Sequence, residues 1–566
     1  MTTPTLAEAA ARTWDAVVVG AGHNGLTAAA YLARAGQSVL VLERRGQLGG
    51  ACTLEMPFAD ERFVMSPCAY LVGLLHPLVV EELGLRRRGY RVQPVDPHLW
   101  CPFEDDTALT LWDDSVRTAA SVAEVAPGDV DGYLAYEALF GRLRRALRGD
   151  YSEVTDTWLG PSPARAELEE RLGHDPELIE ILFDTPIADV IERHVRDERL
   201  RTALHGQGII GTFAGPRDPG TAAIHAMHSL GTLEGKPGAW GYVEGGMGRV
   251  SLALADAATE TGAVILTDAP VAAILPGDTP GATGPAVVLG GGEVIRARAV
   301  LSNADPKRTL ALCKAGGGDL PAGFDAFAGK VDGWRSESPV VKLNCALRRL
   351  PAFTAAARPG YDGPPPYRAM VTISTGTDAT QAACEAARRG EAQPAWCELY
   401  FQTAYDDRVA PPGAHTMSVF AQYAPYTLAA RGTPAGGARR TPAPTGGVPP
   451  TTAAKAATES WDERREQIAD LVIAEIARFA PDVADCIVER QVLGPPDVEA
   501  RIGLTGGHIF QGECLPDQMW DRRFGPVTPV PGLYLCGAGT HPGGSVIAAN
   551  GRNAAMAVLA AIAPRP

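Results

Sequence analysis

The apolar positions along the chain follow two periods. Val17, Val18 and Val19 form a compact β-branched run that ends at Gly20, the mark of a buried strand. Residues 24–35 are rich in Ala and Leu and predict a helix, and 38–42 predicts a second strand. Strand, glycine turn, helix and strand in that order make a βαβ unit. From about residue 70 to 240 the pattern is mostly helical, with charged amphipathic stretches at 165–172 and 190–204. Residues 252–258 predict another helix, and 264–266, 271–275 and 299–301 predict short strands. Helical spacing returns at 461–479, and 533–535 is a late strand before a small-residue helix from about 546 to 560. In 431–452, ten of 22 residues are Gly or Pro; such a segment holds neither helix nor ladder and predicts a flexible surface insertion.

The turn after the first strand reads Gly20-Ala21-Gly22-His23-Asn24-Gly25, a G-x-G-x-x-G between strand and helix. Gly20 permits the tight turn, Gly22 lets the backbone approach a pyrophosphate, and Gly25 lets helix and strand pack closely. The helix N-terminus, with His23 and Asn24 in its first turn, offers free N–H groups and a positive dipole end to phosphates. Glu43 closes the second strand 18 residues after Gly25. It suits both hydroxyls of a ribose and repels a 2′-phosphate, which argues against NADP here. The same spacing recurs at Gly206-Gln207-Gly208-Ile209-Ile210-Gly211, but after the charged helical stretch ERHVRDERLRTALH. It reads as a close packing turn, so a second nucleotide site has no support.

Composition narrows the class. Apolar residues make up 46% and charged residues 21% of 566, which is ordinary globular usage. The net charge of −15 makes the chain a poor general nucleic-acid binder. The ten cysteines include no C-x-x-C pair, so no zinc ribbon or thioredoxin-like site is signalled. The N-terminus lacks a basic region followed by an apolar one, and no apolar run reaches the roughly 18 residues of a membrane span. The expected compartment is the cytoplasm.

Past Glu43 the chain reads Arg44-Arg45-Gly46-Gln47-Leu48-Gly49-Gly50. This segment, DAVVVGAGHNGLTAAAYLARAGQSVLVLERR (15–45), GAWGYVEGGMGRVSLALADAA (238–258), GLTGGHIFQGE (503–513) and GLYLCGAGTHPGGSVIAANGRNAA (532–555) carry a resemblance. On them the chain resembles the large flavoprotein group that includes phytoene desaturases and flavin amine oxidases, and within it the phytoene desaturase-like branch related to pyridine nucleotide-disulfide oxidoreductase domain-containing protein 2. The resemblance implies an α/β fold, with a discontinuous Rossmann-type FAD-binding domain and an interleaved α+β substrate domain. The FAD-binding segments would be 14–80, 238–310 and 496–566, and the substrate segments 81–237 and 311–495. It implies FAD as cofactor, met by Arg44, Gly49 and Gly50, by Val271 at the adenine end, and by Gly537, Gly539, Val546 and Ile547 at the far end. Ala51 stands where many relatives have Arg, and Ser545 where relatives usually have another glycine. Disulfide chemistry is not implied: Cys52 is followed five residues later by Pro57, and a lone thiol forms no intramolecular redox disulfide.

The activity implied is that of an FAD-dependent dehydrogenase or desaturase. It would move hydride from a largely apolar small molecule to flavin N5, form a double bond, and pass electrons to oxygen or a quinone. Three alternatives stand beside it: a redox-neutral flavin-dependent isomerase, a flavin amine oxidase, and a non-enzymatic flavin-stabilised interaction protein docking through 431–452. Lys342, in the apolar stretch 338–344, resembles the lysine that holds a water against flavin N5 in amine oxidases; otherwise it snorkels to solvent. His541, in THPGG, is a candidate proton acceptor or a loop-shaping residue. His508 is a weaker candidate of the same kind. His225 and His228 share a helix face but lack a third ligand, so no metal site is expected. Trp240 and Tyr242 suit an apolar cavity wall or ordinary core. The apolar stretch 70–78 lacks the basic face of an interfacial helix, so a cavity wall is preferred over peripheral membrane contact.

Overall fold

The run Val17–Val18–Val19 lies in the strand Thr13–Val19, buried at every position after the first. A strand covered on both faces needs a continuous apolar run rather than alternation. It pairs in parallel with Val39–Leu42 on one side and Val294–Ser302 on the other. Val264–Leu266 adds beyond Val39–Leu42, and Leu533–Leu535 runs parallel to the end of Val294–Ser302. An antiparallel hairpin of Val271–Leu275 and Ala286–Leu289 completes seven strands. Three distant stretches of chain thus build one sheet. The computed structural model describes residues 4–277, 284–317, 321, 323–430 and 458–562. The insertion expected at 431–452 lies outside the described residues.

Helices His23–Arg34, Gly248–Glu260 and Ala549–Ala561 pack on one face of this sheet. Their small residues allow close approach: a Cβ on Gly551 would lie 2.1 Å from the carbonyl oxygen of Asn24. Pro306–Gly316 and Phe324–Asp332 cover the other face. The expected helix at 252–258 runs longer, and the one expected from 546 starts at Ala549.

A second seven-stranded sheet has the order Ile487–Leu493, Val340–Leu347, His415–Gln422, Trp396–Tyr400, Met370–Ser374, Leu99–Pro102 and Ala108–Leu111. Its strands alternate. Val341, Leu343, Val419, Leu399 and Val371 face a core shared with the helix Trp461–Ala477. Lys342, Phe420 and Glu398 lie in register on three adjacent strands, so they form one row on the opposite face. The short strands Leu99–Pro102 and Ala108–Leu111 interrupt the region read as helical.

A helical block, whose core includes Leu139, Phe140 and Met227, packs against the strands Leu99–Pro102 and Ala108–Leu111 at one edge of the second sheet and against Ile547 and Ala549. It is tied down by a buried cluster. Asp156 accepts from Arg148 Nε at 2.7 Å and meets His76 Nε2 at 2.8 Å, while the His76 amide donates to Ile547 at 3.0 Å. The second glycine motif is the packing turn expected of it. It lies at the 3-10 turn His205–Gly208, where a Cβ on Gly206 would meet Trp396 Nε1 at 2.1 Å.

Candidate active site

One cavity of about 480 Å³ reaches from the turn after the first strand to the polar face of the second sheet. Gly20, Gly22, His23 and Asn24 line one end, with Glu43, Arg44, Gly49, Gly50 and Val271 around it. The walls there are shaped by glycine. A Cβ on Gly22 would meet Asn303 Nδ2 at 2.7 Å, and one on Gly25 would meet the carbonyl oxygen of Gly20 at 2.3 Å. Gly25 does not line the cavity; it sets how closely the helix approaches the turn. Glu43 is buried, and its carboxylate accepts from the amides of Ala21 at 2.8 Å and Arg45 at 2.9 Å. These bonds aim it at the turn. The buried His23 Nε2 has no hydrogen-bond partner among the described residues, and burial pushes the imidazole down to about 4, so it stays neutral. An anion-accepting helix start, a buried carboxylate and an orphaned ring nitrogen in one cleft fit a dinucleotide with its ribose on Glu43.

Glu43→Ala would leave the buried amide of Ala21 and the half-buried amide of Arg45 without that acceptor, a cost of about 1–3 kcal/mol. We expect FAD affinity to fall about tenfold or more, as read by titration of the apoprotein with FAD. Unchanged affinity would remove Glu43 from the site.

The other end of the cavity is aromatic. Tyr70, Trp240, Phe420 and Phe510 line it, together with Lys342 and Glu398. Lys342 is buried and does not snorkel. Its ammonium donates to the carbonyl of Cys68 at 2.8 Å and lies 4.6 Å from the Tyr70 ring and 4.5 Å from that of Phe420. Burial pushes it down to about 8. Burial also pushes the Glu398 carboxyl up to about 7; it accepts from Tyr400 Oη and, at 3.3 Å, from Gln207 Nε2.

Of the two roles open to His541, the geometry fits the loop-shaping one. Its Nε2 meets the carbonyl of Thr157 at 2.7 Å and its Nδ1 lies 3.3 Å from Ser162 Oγ, so both nitrogens face the helical block rather than the cavity. It is a loop-shaping residue, pushed down to about 4 by burial. Of the C-terminal residues, Ala538, Ser545 and Val546 line the cavity; Gly537, Gly539 and Ile547 do not. Gly537 and Gly539 act behind it, the Gly539 amide donating to Gln511 Oε1 at 2.8 Å. Ile547 packs into the helical core. Cys52 is a packed thiol, pushed up to about 12 by burial. His225 packs in a cluster with the Tyr136 and Phe140 rings, and of the pair only His228 lines the cavity. No metal-binding cluster of His, Cys, Asp and Glu occurs among the described residues. Tyr70 and Leu71 wall the cavity, and no described helix is long and apolar enough to cross a membrane.

The sequence reading missed Asn303 and Arg308 at the nucleotide end, and Glu398, Tyr400 and Gln207 at the other. A signal existed for one of them: Glu398 is an acid in the middle of the apolar strand Trp396–Tyr400.

Comparison with known proteins agrees with this geometry. Residues 25–310 match the family described as flavin containing amine oxidoreductase. Pyridine nucleotide-disulfide oxidoreductase domain-containing protein 2 of Mus musculus is 34% identical, covering 96% of this chain and 93% of that one. The lycopene-forming phytoene desaturase of Pseudescherichia vulneris is 26% identical, over 94% and 95% of the two chains. The solved structure of putrescine oxidase bound to putrescine shares the fold, with a TM-score of 0.56 at 15% identity over 97% of this chain and 98% of that one. With a nucleotide cleft opening into an aromatic chamber, and relatives matched over nearly their whole length, the chain belongs to the flavin-containing amine oxidoreductase family and is an FAD-dependent oxidoreductase.

Proposed function

We propose that this enzyme is a dehydrogenase that takes hydride from a largely apolar small molecule and leaves a new double bond. One observation carries the reading: the cleft around Gly20, Gly22 and Glu43 continues into a chamber walled by Tyr70, Trp240, Phe420 and Phe510. Such walls hold an apolar substrate by burial and exclude water from the reacting atoms. Bound FAD supplies the two-electron sink. The likeness to phytoene desaturase supports C=C as the bond formed, and the family description keeps amines, with C=N as product, as the second class. Oxygen or a quinone is the acceptor in this reading. Ten unpaired, buried cysteines suit a reducing compartment, the cytoplasm.

The test is anaerobic mixing of the purified protein with apolar alkenes, alcohols and amines. Bleaching of the flavin by an alkene, with a product two hydrogens lighter, is the expected result. Bleaching by amines alone would replace C=C by C=N. An isomer of unchanged mass would mean a redox-neutral enzyme. Absence of any bleaching across the three classes would count against the dehydrogenase.

A further inference from the structure

Glu398 is buried in the middle of the second sheet, yet no cation pairs with it among the described residues. Among the described residues its carboxyl accepts hydrogen bonds only from Tyr400 and Gln207, both neutral donors. A carboxyl in that position costs stability unless something charged comes to it. Its side chain lines the chamber. Lys342, in the same row, is separated from it by Phe420 and two strand spacings of about 5 Å each. The Lys342 ammonium is already held by the Cys68 carbonyl and two rings. The acid is therefore left to face the substrate.

We propose that Glu398 is the counter-charge and proton acceptor of the dehydrogenation. This rests on the dehydrogenase reading above. Departure of hydride takes a C–H electron pair from the substrate and leaves positive charge on that carbon. A carboxylate in a water-poor chamber stabilises that charge strongly. The bond to hydrogen on the neighbouring atom then yields its electron pair to the new π bond, and its proton passes to a Glu398 carboxylate oxygen. The substrate loses two electrons to the cofactor with the hydride, and one proton to the protein. Tyr400 and Gln207 hold the carboxylate in place.

The groups facing Glu398 leave it in control of the charge. Lys342 titrates at about 8, one step above it. Tyr70 and Tyr400 are pushed well above their ordinary range and Tyr242 upward, so all three stay neutral. His228 and His205 are pushed down to about 4 and are neutral as well.

The test needs no substrate. Hexyltrimethylammonium carries a fixed positive charge and no transferable proton, and 2,2-dimethyloctane is its neutral carbon isostere. Binding of both to the flavin-containing protein is measured by calorimetry, with the visible spectrum recorded on the same samples. At about pH 8 the wild type should prefer the cation by about tenfold or more, the low end for a close charge pair. In weak buffer below about pH 7 the cation should release protons, because it drives Glu398 to ionise. Glu398→Gln should lose both the preference and the proton release, and Glu398→Asp should keep them. Lys342→Met should retain the step near pH 7, which separates the two titrations. A wild type with flavin but no cation preference, or equal preference in Glu398→Gln, overturns the proposal. Should Glu398→Gln fail to fold, a Lys342→Met protein with no step near pH 7 overturns it equally. Intact cation preference in a protein that no substrate class can bleach would instead sink the dehydrogenase reading.

Discussion

Gly25→Ala is expected to give a protein that binds FAD at least about a hundredfold more weakly, a loss of roughly 2.7 kcal/mol in binding. The added Cβ would lie 2.3 Å from the Gly20 carbonyl oxygen and 3.1 Å from Asn303 Cβ. The first neighbour is backbone in the tight turn itself, so no side-chain rotation relieves the clash. Relief requires the helix His23–Arg34 to move away from the turn, and its N-terminal amides then leave the pyrophosphate. Overpacking of this kind also costs about 1–3 kcal/mol of stability. Gly206→Ala is the matched control. Its Cβ would collide with the Trp396 ring in the wall of the second sheet, so it should lower the unfolding temperature without a comparable loss of FAD affinity. Titration of each apoprotein with FAD, beside thermal unfolding, reads both effects. Wild-type affinity in Gly25→Ala would mean that the first motif is a packing turn like the second.

The two glycine motifs show what a sequence gives away. Both have the same spacing, but only one follows a β-branched run and precedes an Ala-rich helix. That context follows from local backbone chemistry and is readable without a fold. Glu43 is readable for the same reason, because it sits one strand from the turn it serves. The chamber is different. Tyr70, Gln207, Lys342, Glu398 and Phe510 come from separate stretches of chain: pairing of the second sheet sets Lys342 and Glu398 in one row, and the loops and turn that carry the other three reach them only in the folded chain. Lys342 was found because its strand resembles that of relatives. Glu398 was passed over although an acid within an apolar strand is costly to bury. For His541 the sequence leaves two roles open: its loop reaches the cavity through Ala538 and Ser545, while the histidine itself turns to Thr157 and Ser162. A motif locates a loop next to a cofactor; it does not say which way each side chain on the loop points.

Lys342→Met should lower the flavin midpoint potential and slow oxidation of the reduced enzyme by oxygen. The ammonium is buried, and among the described residues its one hydrogen-bond acceptor is a backbone carbonyl, so no carboxylate among those contacts neutralises its charge. A unit charge within about 6 Å of another, at an effective dielectric of about 20, is worth roughly 3 kcal/mol. For a two-electron couple that is about 60 mV. Losing the cation should therefore lower the potential by an amount of that order, and slow the reaction with oxygen by about tenfold or more, since each 1.4 kcal/mol in a barrier is tenfold. The pH dependence follows from burial. The lysine carries its charge below about 8 and loses it above. The potential and the oxygen rate of the wild type should fall more steeply as pH rises through that value than those of Lys342→Met, in which the step is gone. The same depression acts on stability in the opposite sense to a favourable ion pair. Between about 8 and the ordinary lysine value near 10.5 the unfolded chain binds the extra proton, so stability rises with pH in that window. Lys342→Met should remove that rise and be the more stable protein at neutral pH, because it no longer buries a charge. Spectroelectrochemical titration and stopped-flow oxidation, each across pH, decide the matter. A variant with unchanged potential and oxygen rate would leave Lys342 as a wall of the chamber with no hold on the flavin.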